Sequence, residues 1–232
     1  MSVNYLIQAQ IIDIKQDNPK QDGVFFIDTN VWYWFTYTRA SLGDHPPKNY
    51  QIGDYPSYIK KALSARNKFY SCGLSLAELA HLIEKTEFEI FANANSFDKT
   101  KKKEFRHNYP TERANVVAEI QAAWGLVETM TQTIDIQINK HTTDDALSRL
   151  STQILDGYDL FILESIMKAG VVKIITDDGD FSTVPNILVF TSNVNVIQAA
   201  KVQGKLLKRK RTPLGTLLLA MNSISMLLAP PC

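Results

Sequence analysis

Apolar and polar positions divide this chain into short unbroken apolar runs and longer stretches with helical spacing. The first clear run is Val24-Phe25-Phe26-Ile27, bounded by Asp22-Gly23 and by Asp28-Thr29-Asn30. A short run without alternation predicts a strand buried on both faces, here over 24–28. Such strands belong to parallel sheets covered by helices. Residues 68–74 (KFYSCGL) predict a second strand, and 133–138 (TIDIQI) alternate as a half-exposed edge strand does. Residues 171–175 and 186–190 predict a fourth and a fifth. Between them lie helical patterns. Val31-Trp32-Tyr33-Trp34-Phe35 starts a buried helix, and Leu76, Leu79, Leu82 and Ile83 share one face of another. Residues 116–130 predict a third. Thr142 or Thr143 caps a fourth that carries Leu147, Leu150 and Ile154. A fifth runs from near Gly157 to Ala169 and stops at Gly170. Alternating strands and helices predict a doubly wound α/β sandwich.

Four stretches fall outside that alternation. Residues 1–23 form an N-terminal extension that the pattern leaves open between helix and strand. Residues 38–57, with Gly43, Pro46, Pro47, Gly53 and Pro56, predict a long loop. Residues 93–115 form a polar, basic insertion around Lys101-Lys102-Lys103. The tail, 193–232, holds a basic run at 205–211 and an apolar segment at 214–229. That segment is too short and too polar to span a membrane, and its leucines recur at helical spacing, so a packing helix is expected there and a membrane partner is not.

Composition narrows the class. With 232 residues the chain can bury one sizeable core; 45% hydrophobic and 21% charged residues are ordinary for a globular protein. A net charge of +1 leaves any nucleic-acid affinity to local patches. Two cysteines are no disulfide framework, and the first residues lack the basic and apolar regions of a secretory signal, so a cytoplasmic location is expected.

The chemistry gathers at strand ends. In open α/β sheets the ligand site lies beyond the carboxyl ends of the strands, where strand order reverses. Asp28 ends the first strand. The fourth ends in Thr176-Asp177-Asp178-Gly179-Asp180, where Thr176 and Asp178 share a face if the strand extends so far. Glu78 and Asp159 lie in the first turns of helices that begin at the same edge. Asp28, Glu78, Asp159 and Asp178 are therefore expected to converge, with Asp180 as a further candidate ligand. Four bare carboxylates repel one another, and a hard divalent cation, Mg²⁺ or Mn²⁺, resolves this. Each acid also has a structural reading. Asp28 and Asp159 suit helix N-termini, Ser75 and Glu78 match a capping box, and Asp177 to Asp180 suit a tight turn. The basic run offers Lys101, Lys102, Lys103 and Arg106 to RNA phosphates, or merely to solvent. The aromatic group after strand one reads as core. The four histidines have no ligand spacing, and no P-loop, G-x-G-x-x-G or C-x-x-C is present.

Phe26-Ile27-Asp28-Thr29-Asn30-Val31, Ser75-Leu76-Ala77-Glu78-Leu79, Asp159-Leu160-Phe161-Ile162 and Ile174-Ile175-Thr176-Asp177-Asp178-Gly179-Asp180-Phe181 resemble, in that order, the acidic motifs of the PIN domain family. The likeness spans about residues 24–192. It implies a mainly parallel sheet of about five strands in the order 3-2-1-4-5 inside a three-layer sandwich, with helical insertions. It implies a metal-dependent endoribonuclease that leaves a 5′-phosphate, with Asp28, Glu78, Asp159 and Asp178 binding Mg²⁺ or Mn²⁺ and Asn30 and Thr176 supporting them. RNA, an antitoxin-like protein and a second copy of the chain are the partners it implies, since many members are toxins of toxin–antitoxin pairs. The alternative is a PIN-like module that binds RNA or protein without catalysis. A phosphatase of the haloacid dehalogenase type needs an Asp where this chain has Asn30, and a Toprim-like site wants a Glu after its first strand.

Overall fold

β2 (Val24–Ile27) lies in the interior of the sheet, hydrogen-bonded in parallel to β3 (Lys68–Cys72) on one side and to β5 (Lys173–Ile175) on the other. This computed structural model describes residues 3–209, so the apolar segment 214–229 and the end of the basic run lie outside the described residues. β4 (Thr131–Ile134) adds to β3, β6 (Leu188–Thr191) to β5, and β1 (Gln10–Asp13) to β6. All pairings are parallel, in the order β1-β6-β5-β2-β3-β4. The five expected strands stand in the expected order. The sixth, β1, comes from the N-terminal extension and closes an edge that the sequence reading had left bare. The order reverses between β2 and β5, which places a crevice at their carboxyl ends.

Neighbouring strand residues divide between two cores because side chains alternate. Phe26, Ile174 and Val189 pack on one face with Ile162, Leu163 and Ile166 of α7 (Gly157–Lys168) and Val196 of α8 (Val194–Val202). Phe25, Phe69 and Phe190 pack on the other with Trp32 of α1 (Thr29–Thr36), Tyr58 and Ile59 of α2 (Asn49–Ser64), Leu79 of α3 (Gly73–Asn95) and Val127 of α5 (Pro110–Met130). Three layers result. Trp32, Tyr33 and Tyr37 are core, as read.

Two local readings, of 38–57 and of the α6 cap, are corrected, and a third is sharpened. Residues 38–57 are not one loop, because α2 begins at Asn49 and runs through Gly53 and Pro56. Its buried Tyr55, Tyr58, Ile59 and Ala62 recur at i, i+3, i+4 and i+7. Burial of that stripe outweighs the cost of one helical proline, for tertiary packing routinely overrides propensity. The insertion at 93–115 is mostly helical. α4 (Lys102–Asn108) and the start of α5 close a small core of Phe88, Phe105 and Val116. In α6 (Lys140–Leu150) the cap is Asn139, whose side chain accepts from Thr142 N at 3.0 Å. α6 buries Thr142 and Ala146, while Leu147 and Leu150, and Ile154 beyond its end, stay exposed. Among the described residues no helix is long and apolar enough to cross a membrane.

α2 is tied to the end of β5 through one buried carboxylate. Asp177 accepts from Tyr50 Oη at 2.9 Å, Gln51 Nε2 at 2.7 Å and Tyr55 Oη at 2.6 Å. The Tyr55 hydroxyl also accepts from Ser192 N at 2.9 Å. Tyr55→Phe removes a donor to a buried charge and strands that amide. A loss of about 1.5–3 kcal/mol is expected in denaturant titration. An unchanged midpoint would show that the network contributes nothing.

Candidate functional site

Asp28 directly follows β2 and is the N-cap of α1. Its amide donates to Ile175 O at 3.0 Å, so the backbone is pinned across the β2–β5 seam. Its Oδ1 accepts from Thr29 N at 2.7 Å, and its Oδ2 accepts from the Thr176 hydroxyl at 2.5 Å. The same hydroxyl accepts from Asp178 N at 2.8 Å, which fixes the backbone of the fourth acid. Asp178 Oδ1 accepts from Asp180 N at 2.8 Å.

Glu78 is free of capping work. The N-cap of α3 is Cys72, not Ser75, and Ser75 fills the N3 position, where its hydroxyl accepts from Cys72 N at 3.4 Å. The S-x-x-E pair is therefore out of register with a capping box. Glu78 Oε2 is buried without a well-formed hydrogen bond among the described residues, although the nearby Thr29 hydroxyl draws its carboxyl down against burial. Asp159 is likewise relieved of capping by Asp156, whose Oδ1 accepts from Tyr158 N at 2.9 Å and Asp159 N at 3.0 Å.

One carboxylate oxygen from each of Asp28, Glu78 and Asp159 lies within 4.8 Å of the others. Asp178 is not part of that triple, but its charge bears on all three members. Burial, first, and Glu78, second, push the Asp28 carboxyl well above the usual range, against the opposing Thr176 bond. Burial and then Asp28 do the same, more strongly, to Asp159. Burial leads again at Glu78, Asp178 and Asp180.

Such a set cannot be fully ionised and bare. The residues fit a hard divalent cation. All donors are oxygen, and two buried acceptors, Glu78 Oε2 and Asn30 Oδ1, have no well-formed hydrogen bond among the described residues. Three sequence candidates come together closely here. Asp178 and Thr176 adjoin them, Asn30 sits in the first turn of α1, and Asp180 opens the short turn Asp180–Thr183.

The four basic candidates stand apart on α4 or just before it. Lys102 and Arg106 engage Glu84 at 3.3 and 2.5 Å, and Lys101 engages Glu104 at 3.3 Å. Of the four, Lys103 has no carboxylate partner among the described residues.

Two residues escaped the sequence reading. Asp156 was readable, because an Asp-Gly pair before an apolar helix is a start signal. Tyr5 was not. Its backbone is clamped by Gln203, which donates to Tyr5 O at 2.8 Å and accepts from Ile7 N at 2.9 Å. The clamp lays the ring on Gly179, between Asp178 and Asp180, and nothing local links positions 5 and 179.

No protein-family model matches the chain. No curated protein matches it. Among solved structures it is similar to VapBC2 from Rickettsia felis bound to a DNA fragment from its promoter, at 14% identity and a TM-score of 0.41, over 72% of this chain and 98% of that one. The site rests on its own geometry.

Two outcomes are expected. Carboxyl groups with raised folded pKa bind protons more tightly when folded, so their destabilising effect grows as pH rises above the unfolded value. The metal-free protein should therefore lose stability between about pH 5 and 8, and Mg²⁺ or Mn²⁺ should raise its Tm at about pH 8 far more than at about pH 5. Asp159→Asn should raise the metal-free Tm and abolish the metal response. A metal response of equal size at both pH values would contradict this. Separately, the Cβ of Gly179→Ala would overlap the Tyr5 ring. Proteolysis near residue 5 should report its displacement, and an unchanged cleavage pattern would place Tyr5 elsewhere in solution.

Proposed function

We propose that this chain is a Mg²⁺- or Mn²⁺-dependent ribonuclease that hydrolyses RNA phosphodiester bonds at the centre formed by Asp28, Glu78, Asp159 and Asp178. The observation that carries the reading is the approach of three carboxylates to within 4.8 Å at the strand-order reversal, with a buried oxygen of Glu78 left without a well-formed hydrogen bond. A bound divalent cation would lower the pKa of water and stabilise charge on the phosphate.

The chain's own residues set the frame. The Thr29 amide and the Thr176 hydroxyl hold both oxygens of Asp28 in one orientation. The Asp156 cap holds the first turn of α7 and hence the backbone of Asp159. Asp178, half-buried, keeps Oδ1 on the Asp180 amide, and its Oδ2 would serve to hold the cation or its water.

The test is cleavage of a labelled RNA by the full chain with Mg²⁺ or Mn²⁺, set against EDTA. Asp28→Asn should slow cleavage by at least about 100-fold, more than an outer-shell change usually does, with an unchanged far-UV spectrum. Equal cleavage in EDTA would sink the mechanism, and RNA binding without cleavage would favour the non-catalytic module.

A further inference from the structure

One stripe of α3 leads away from the acids. Ala77, Ala80, His81 and Glu84 recur at i, i+3, i+4 and i+7 and line one side of an open groove of about 370 Å³. Ala77 adjoins Glu78. Across the groove stands Tyr158, which immediately precedes Asp159 and is 53% exposed. The groove's lining thus includes the chain neighbours of two members of the acid cluster, on the same first turns of α3 and α7. At its other end are Arg106 and Arg113. Glu84 lies six positions along the helix from Glu78, about 9 Å of axial rise. That is the length of two to three stacked nucleotides at about 3.4 Å each.

The far end is built, not merely basic. Glu84 is buried and meets three cations: Lys102 at 3.3 Å, Arg106 at 2.5 Å and Arg113 at 3.0 Å. One carboxylate cannot neutralise three cations, so two positive charges remain. Arg106 and Arg113 keep 44% and 40% of their side chains exposed, while Glu84 keeps 8%. The acid therefore holds the guanidiniums from beneath and leaves donors free above. The Arg106 bond and the neighbouring Lys102 hold the Glu84 carboxyl down at about 2, so it stays ionised beside its three cations near neutral pH. At the near end the alanine side chains are small enough for a flat ring to approach α3 closely, opposite Tyr158.

We propose that this groove is the track for a single RNA strand, with phosphates on Arg106 and Arg113 and a base stacked on Tyr158, leading the scissile phosphate to the acids. The inference rests on the ribonuclease reading for its direction and deepens it to a strand preference. Single-stranded binding suits these parts, because aromatic stacking needs an unpaired base and a basic groove needs only the backbone. A duplex hides its bases from Tyr158, and a protein partner has no requirement for phosphate donors.

The experiment uses the full chain carrying Asp28→Asn, so that a labelled RNA of about ten nucleotides stays intact, and compares it with the duplex of the same sequence by anisotropy. Tyr158→Ala should weaken single-strand binding about tenfold, and Tyr158→Phe should restore it. Arg113→Gln should flatten the log–log salt slope by about 0.7. Glu84 keeps Arg106 and Lys102 in that variant, so the fold is retained, and a melting curve checks it. Lys60→Gln, exposed on α2, should change nothing. Unaltered binding by both groove variants, equal affinity for the duplex, no RNA binding by the folded chain, or an equal loss with Lys60→Gln would each overturn the track. With the acids intact, bound RNA left uncut would fell the nuclease reading and keep the track. Cleavage unaffected by Tyr158→Ala and Arg113→Gln would do the reverse.

Discussion

The carboxyl edge of this sheet depends on a single hydroxyl. Thr176 donates to Asp28 Oδ2 and accepts from Asp178 N, so one side chain couples the ends of β2 and β5 and sets the spacing of two acids. A hydroxyl has one proton to give and two lone pairs to receive with, and a bridge between a carboxylate and an amide uses both capacities. Only neighbouring parallel strands bring residues 28 and 176 this close, and the β2–β5 pairing is the place where strand order reverses. Valine would fill the volume of Thr176 and supply neither bond, leaving a buried Asp28 oxygen without its donor.

The residue next to this bridge faces the opposite task. Asp177 turns from the acids toward α2, where Tyr50, Gln51 and Tyr55 donate to it, and Asn193 donates to its carbonyl at 2.8 Å. Three consecutive residues thus alternate between site, anchor and site. The anchor explains why α2 is a helix in spite of its proline. The helix must present two tyrosine hydroxyls and an amide to a fixed carboxylate while burying its other tyrosine in the core. Tyr5 closes the same edge from the far end of the chain, so the sequence between positions 5 and 203 is gathered round one turn at 176–180.

Strand runs were legible because four or five apolar residues in a row have few other uses. Their order was implied by the family likeness and agreed with the switch-point rule. The edge strand β1 was not legible, because its four residues, Gln10–Asp13, carry only two isoleucines and acquire a partner from β6, far away in sequence. The candidate acids were legible one by one, since strand ends and helix starts are marked locally. Their mutual distance was not, and neither was the register of the α3 cap, which freed Glu78. The basic residues were visible as charge alone. That Lys102, Arg106 and Arg113 converge on Glu84 depends on how α4 folds back on α3, a matter of Phe88 meeting Phe105 rather than of charge.

The molecule itself provides the measure by which its acid cluster is unusual. Wherever else a carboxylate is buried at a junction, donors surround it. Asp17 accepts from Tyr58 Oη at 2.5 Å and from Arg209. Glu87 accepts from Tyr37 Oη at 2.5 Å and pairs with Arg39 at 2.9 Å. Glu84 has its three cations, and Asp177 its three neutral donors. Asp28, Glu78 and Asp159 differ: Asp28 has its two donors, but among the described residues no cation pairs with any of the three, and each carboxyl sits above its ordinary pKa chiefly through burial. Among the described residues the other buried acids have a counter-charge or a set of donors, whereas here the bare cluster is relieved by holding protons, the state that a cation would displace. Three carboxylate oxygens within 4.8 Å of one another, at the carboxyl ends of β2 and β5 where strand order reverses, form an all-oxygen set of the kind that suits a small hard cation.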